Sequence, residues 1–279
     1  MDAIDAHVHV WTPDTAHYPL AAGFKRDDMQ PPSFTPEQLL DHAQPNGVQR
    51  IVLVQMSFYG HDNSYLLDSM QRFPGTLGGI AVIDTGAARP EAEMFRLAER
   101  GVRGFRVFPK NEPVERWAET KGLERMFAAG AEANLAMCCL INPNALPSLG
   151  RMCRRFPETP VVIDHLCRIG VDGMILAADA EALCALAVFP RVQVKVSAFY
   201  ALGKKRPPHD DLAPLIRRVY DAYGPRRLMW GTDCPYQVQT ETYADSIRLV
   251  RDRLDILSDA DRAWLLGKTA EALFFRAAG

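Results

Sequence analysis

Short runs dense in Val, Ile and Ala recur along the chain, separated by longer stretches whose apolar residues fall at helical spacing. The apolar runs cover 3–10, 50–57, 79–84, 102–108, 136–141, 161–165, 192–197 and 228–233. Most are apolar almost throughout, the pattern of strands covered on both faces. Between them, Thr35-Pro36-Glu37-Gln38 opens a helix with Thr at the N-cap, Pro at the first helical position and Gln three residues after the cap. Asp62 or Asn63 is placed to cap a helix over 64–72, which Phe73-Pro74-Gly75 ends. Helices over 90–100, 122–134, 144–156, 179–189, 210–223 and 240–254 fill the other gaps, and a last one starts at Ser258 and runs towards Phe275.

Strict alternation of strand and helix implies a parallel sheet. Eight such units over 1–279 predict one α/β domain, a single (β/α)8 TIM barrel, regular or distorted, with a C-terminal helical extension. The rival is an open doubly wound sheet, which carries a glycine fingerprint after its first strand. Here that place holds Trp11-Thr12-Pro13-Asp14, and neither GxGxxG nor GxxxxGK[ST] occurs anywhere. Gly267-Lys268-Thr269 lacks the upstream glycine and strand and reads as helix.

Composition narrows the function. The 279 residues are 48% hydrophobic and 24% charged with a formal charge of −2, so there is no broad basic field. Neither nucleic acid nor an anionic membrane is expected as a partner, and no apolar run reaches the roughly 18 residues of a membrane span. Assembly into a homo-oligomer is left open. The first five residues carry two acids and no basic leader, and the six cysteines form no CxxC pair, so a cytoplasmic protein with reduced thiols is expected.

In a barrel of this kind the chemistry sits where the strands end. Strand one ends Asp5-Ala6-His7-Val8-His9. His7 and His9, two apart, point to one face, with Ile4, Ala6, Val8 and Val10 expected on the other, against helices. Alone, the pair reads equally well as hydrogen-bonded core histidines. Polar residues at other strand ends shift the balance: Gln55 and Ser57 with Tyr59 after strand two, Arg103 and Arg106 in strand four, Asp164-His165 ending strand six, Lys195 and Ser197 in strand seven, Asp233 ending strand eight. Polar groups from separate strands meeting at one rim have the form of an active site. GxSxG is absent, so no serine nucleophile is indicated, and Cys138-Cys139 inside strand five reads as buried inert thiols.

Asp5-Ala6-His7-Val8-His9-Val10-Trp11 resembles the DxHxHxW opening of the amidohydrolase superfamily, and Gly231-Thr232-Asp233-Cys234-Pro235 resembles its strand-eight signature. Val162-Ile163-Asp164-His165, Lys195-Val196-Ser197 and the closing run 265–274 are similar to the amidohydrolase-2 branch, which includes 2-pyrone-4,6-dicarboxylate lactonase and sugar-acid lactonases. Two departures stand out: Cys234 where that branch often has Trp, and Lys268-Thr269 where it has Asn-Ala.

The resemblance implies hydrolysis of a lactone, with a small lactone or carboxylic acid as the ligand. Asp233 becomes the general base for water, with His7, His9 and His165 donating to the developing oxyanion. Arg106 becomes a carboxylate clamp, with Arg168 and Lys195 behind it. Arg103, out of phase with Arg106, is expected in a surface salt bridge. Trp11, Ser57, Tyr59 and Tyr200 are candidate pocket residues; His17, His61 and His209 are expected in solvent. A single divalent ion, Zn²⁺ or Mn²⁺, would take His7, His9, His165 and Asp233. The histidine that classical members add from strand five is missing at Leu140-Ile141-Asn142, and strand four has Arg106 rather than lysine, with Lys110 lying beyond Pro109. The lactonase branch resembled here is known for members that work without metal, and the resemblance therefore favours turnover without one. A metal-dependent decarboxylase, a lactone isomerase and a non-catalytic sugar-acid-binding barrel are the alternatives.

Overall fold

The computed structural model describes residues 2–109 and 114–276; Lys110 lies outside them. The strands are β1 (Ala3–Val8), β2 (Val48–Val54), β3 (Leu77–Ala81), β4 (Val102–Val107), β5 (Ala136–Cys139), β6 (Val161–Ile163), β7 (Val192–Ser197) and β8 (Leu228–Gly231). They pair in parallel in chain order from β1 to β8. The principal helices between and after them are α1 (Pro36–Ala43), α2 (Ser64–Arg72), α3 (Pro90–Glu99), α4 (Lys121–Ala133), α5 (Leu146–Arg155), α6 (Ala177–Ala185), α7 (Ala213–Tyr223), α8 (Tyr243–Arg248), α9 (Asp259–Ala263) and α10 (Thr269–Phe274). This is the (β/α)8 barrel expected from the alternation.

Local chemistry sets the ends of these elements. Thr35 Oγ1 accepts from the Gln38 amide while the Gln38 side chain accepts from the Thr35 amide, so the capping box forms. Before α2, Asp62 Oδ1 accepts from the Ser64 amide at 2.9 Å. Asn63 turns instead to β3, accepting from the Val82 amide and donating to the Val82 carbonyl. Several strands are shorter than their apolar runs, because the chain leaves the sheet where side chains must converge.

Two apolar layers result. Val102, Phe105, Val192, Val194, Val196 and Trp230 lie in the large cluster shared with the helices. A second cluster joins Ile4, Val52, Ile80, Cys138, Val162 and Met229, from strands all round the barrel, with Leu273 and Phe274. That second cluster is the barrel interior, and α10 plugs one end of it. Gly104 makes room for the plug: a Cβ there would lie 3.2 Å from the Phe274 ring and 3.0 Å from Ile80.

The interior corrects the reading of strand one. Ile4 and Ala6 face inward in the second cluster, and only Val8 and Val10 pack with the helices. The β1–β2 register shifts between Asp5 and Val8. An irregularity of this kind resets the alternation of side chains, so Ala6 and His7 serve the same side. Arg103 is also not in a surface salt bridge. It is buried and donates to the carbonyls of Ala98, near the end of α3, and Val102, at the start of β4.

Between β8 and β1 there is one bridge, Val8 with Cys234, rather than a ladder. Backbone bonds from Asp233 to His7 and from His9 to Cys234, both 2.8 Å, draw these ends together. Asp5 completes the seam. Its buried carboxylate accepts from the Thr232 amide (2.9 Å), the Thr232 hydroxyl (2.6 Å) and the Tyr243 hydroxyl (2.8 Å).

Candidate active site

Five strand ends bring the site together at the barrel mouth. β1 contributes His7 and His9, β4 Arg106, β6 Asp164 and His165, β7 Lys195 and Ser197, and β8 Asp233. A Cβ on Gly231 would lie 3.0 Å from His7, so β8 and β1 meet closely only because that residue is glycine. The side chains form two tiers. His7, Asp164, Lys195 and Ser197 have no exposed surface, while His9, Arg106, His165 and Asp233 keep 4–9%.

The rear tier is a charge cluster. Asp164 accepts from Arg106 Nη2 at 3.0 Å and lies 3.2 Å from Lys195 Nζ. Arg106 Nη2 also lies 2.8 Å from His7 Nε2, and His7 Nδ1 lies 3.5 Å from Asp164 Oδ1. Lys195 Nζ lies 3.1 Å from the same Nδ1. Burial, then the Lys195 charge, lowers the His7 pKa far below its usual value, so His7 is neutral. Burial alone would raise Asp164, but Lys195, His7 and Arg106 outweigh it and keep the carboxylate ionised.

The front tier centres on one oxygen. Asp233 Oδ1 lies 3.3 Å from His9 Nε2, 3.5 Å from His7 Nε2 and 4.0 Å from His165 Nε2. Its other oxygen, Oδ2, accepts from the Tyr200 hydroxyl at 2.7 Å. Burial raises the Asp233 pKa; the neighbouring His165, His9 and His7 more than offset that and hold it well below the carboxylate range. Burial lowers His165 to about 4. His9 Nδ1 donates to the Val54 carbonyl at 2.8 Å. In the neutral form of the ring, its Nε2 turns a lone pair towards Asp233 Oδ1, and the two atoms form an acceptor pair.

The turn carrying His165 is unusual. His165, Leu166, Cys167 and Arg168 all have φ between 50° and 59°, a left-handed turn built without glycine. Such geometry costs about 1–2 kcal/mol per residue, and strain of this kind gathers at functional sites. Arg168 ends the turn half-buried, and its guanidinium makes no hydrogen bond or ion pair with any described residue.

The other sequence candidates make their hydrogen bonds outside this cluster. Trp11 has no exposed surface; its indole donates to the Pro31 carbonyl and its ring supports Phe58 and Tyr236. The buried Tyr59 hydroxyl accepts from the Thr12 amide, and Ser57 is exposed. His17 and His61 are exposed as expected. His209 is not: it is buried and bonds Glu241 at 2.8 Å, joining the loop after β7 to the loop after β8. The sequence reading gave no role to Asp5, nor any to Asp164 beyond its strand end. Their motifs were legible, but their partners lie far away in the chain.

His7, His165 and Asp233 offer ligand atoms all within 4.8 Å of one another, a set that could hold a metal ion. Two imidazoles and a carboxylate suit Zn²⁺ in type and number. Arg106 already occupies the inward nitrogen of His7 and would have to release it.

Two buried groups leave opposite marks on stability. His165 titrates at about 4 when folded against 6.5 when exposed, so the unfolded chain binds the extra proton between those values and stability rises with pH there. Burial raises Asp5 from 3.8 to about 6, against the hydrogen bonds it accepts. The folded chain then holds the extra proton, and stability falls as pH rises through that window. Each contribution is about 3 kcal/mol. Removing one exposes the other: in Asp5→Asn, Tm climbs more steeply from pH 4 to pH 6.5 than in the wild type. A parallel or flatter climb would show that Asp5 takes up no proton in the fold.

Residues 4–276 match the amidohydrolase family. The chain is 31% identical to an L-fucono-1,5-lactonase of Burkholderia ambifaria, over 83% of this chain and 80% of that protein. It is 30% identical to a 2-pyrone-4,6-dicarboxylate hydrolase of Comamonas testosteroni, over 84% of this chain and 77% of that protein. Its fold matches a crystal structure of a zinc-bound amidohydrolase of Burkholderia multivorans with a TM-score of 0.84, at 24% identity and covering 99% of this chain and 100% of that one.

Proposed function

Given that this chain belongs to the amidohydrolase family, we propose that it is a lactone hydrolase that opens a carboxylated or sugar-acid lactone by attack of an activated water, in a single barrel domain over residues 1–279. The observation that carries this reading is the acceptor pair of Asp233 Oδ1 and His9 Nε2, 3.3 Å apart. A water at the apex of that pair donates one hydrogen to each and turns a lone pair towards the barrel mouth. As its oxygen bonds to the lactone carbonyl carbon, its proton passes to the pair. The ring C–O bond then breaks and the departing oxygen takes that proton. The oxyanion formed in between faces His165 and the positive potential of Arg106, in a setting with little water to weaken either. The relatives named as lactone-opening enzymes support the reaction class.

Side-chain chemistry without a metal is the form of the reaction we favour, because the guanidinium beside His7 puts a fixed positive charge next to one of the three ligand atoms. In the alternative, Zn²⁺ or Mn²⁺ on His7, His165 and Asp233, with His9 alongside, would polarise the carbonyl and acidify water. The cytoplasmic setting is supported by six unpaired cysteines, five of them buried. Among the described residues no helix is long and apolar enough to cross a membrane.

The substrate's carboxylate falls to Arg168 in this reading. Arg106 spends Nη2 on Asp164 and His7, whereas no described residue takes the Arg168 guanidinium. In a left-handed turn, residues three apart lie on one side, so Arg168 and His165 face the same way. A panel of lactones with and without a carboxylate, assayed by acid release with and without chelator, tests this. Arg168→Gln is expected to raise KM about tenfold for carboxylated lactones, the effect of one lost charged contact, and to leave neutral lactones unchanged. Equal effects on both sets would remove Arg168 from recognition.

A further inference from the structure

We propose that Tyr200 is a positioning residue that fixes which oxygen of Asp233 faces the reacting water, rather than a contact for the substrate. The inference rests on the lactonase reading above. Strand β7 and the turn after it supply one partner to each of three site residues. Lys195 lies 3.2 Å from Asp164, Ser197 Oγ is 2.9 Å from His165 Nδ1, and the Tyr200 hydroxyl donates to Asp233 Oδ2 at 2.7 Å. For His165 and Asp233, β7 takes the atom turned away from the centre and leaves its counterpart, Nε2 or Oδ1, pointing inward.

The chain is bent to achieve this. Lys195 and Ser197 face inward by the alternation of β7, while Val192, Val194 and Val196 pack outward. Ala198 then adopts φ 57°, a left-handed kink in a non-glycine residue, and the short helical turn Phe199–Ala201 brings Tyr200 back over the mouth. Asp233 is itself held at φ 71°. The Tyr200–Asp233 bond thus ties two strained turns, one after β7 and one after β8.

A carboxylate turns freely about its Cβ–Cγ bond, a broad two-fold torsion, so its two oxygens are interchangeable unless something tells them apart. Here the phenol does. A short bond to an ionised oxygen is strong and directional, and with Oδ2 fixed, Oδ1 stays among the three imidazole nitrogens. A tyrosine has one hydrogen to donate, and Tyr200 has given it to Asp233.

The test is Tyr200→Phe, which keeps the ring and removes the hydroxyl, followed by crystallography and by kinetics. The expected crystal structure has the Asp233 carboxylate rotated, with Oδ1 moved away from the 3.3 Å position beside His9 Nε2. The expected kinetics are a kcat lower by about tenfold with KM unchanged within about twofold. In an Asp233→Asn background the same change adds less than about twofold, because Tyr200 acts through Asp233 alone. An unmoved carboxylate overturns the proposal, as does a raised KM at constant kcat, which would make Tyr200 a substrate contact. If the wild type opens no lactone at all, the hydrolase reading falls, and the position of the carboxylate alone decides the role of Tyr200.

Discussion

Asp233→Asn lowers kcat for lactone opening by roughly 10³-fold, within the range for loss of a general base, and leaves the fold intact. The amide keeps the shape of the carboxylate and still accepts from Tyr200. It cannot take a proton from water, however, and its NH₂ group would place a donor where His9 Nε2 now faces an acceptor. The acceptor pair becomes an ordinary hydrogen bond, and the water loses both partners. The checks are steady-state rates on the best lactone of the panel and Tm by calorimetry. A loss of less than about tenfold at unchanged Tm would mean that water is activated elsewhere.

The second large effect concerns stability. In Asp164→Asn, Arg106 and Lys195 lose their shared counter-ion while staying buried, and His7 is left between two cations. Stripping one partner from a buried charge cluster costs about 3–5 kcal/mol, which for a chain of this length is a fall in Tm of about 10 °C. The same loss moves His7 and so removes activity. Lys195→Met in the same background takes away one of the stranded charges and fills its volume, so the double variant recovers part of the Tm without recovering turnover. Recovery of the rate together with Tm would show that the cluster only supports the fold.

Strand order, the α1 capping box and the approximate place of the site were legible in the sequence because each rests on local pattern: apolar period, Thr-Pro-Glu-Gln, a polar residue ending an apolar run. His7, His9, Arg106, His165 and Asp233 do meet at the barrel mouth, separated by up to 226 positions of chain. What local pattern could not carry was the irregularity in β1. Alternation counts residues, and nothing in Ile4-Asp5-Ala6-His7 marks where the count slips. The Asp164 cluster was hidden for a different reason. An aspartate, an arginine and a lysine become one charge network only once the barrel turns the ends of β4, β6 and β7 towards one mouth. The left-handed turn at 165–168 has no glycine to announce it, and Tyr200 read as a pocket residue because its hydroxyl's partner sits on another loop. His209 was misplaced in solvent because its partner Glu241 lies 32 positions further on, in the loop after β8.

The account stands on water entering the lactone, and isotope labelling reads that event without reference to rate. Chelator-treated enzyme is given one turnover of a carboxylated lactone in H₂¹⁸O, and the product is weighed by mass spectrometry. Hydrolysis at the Asp233–His9 pair places a single ¹⁸O in the new carboxyl group. An unlabelled isomer of the starting lactone, or release of CO₂ from an otherwise unlabelled product, would contradict it.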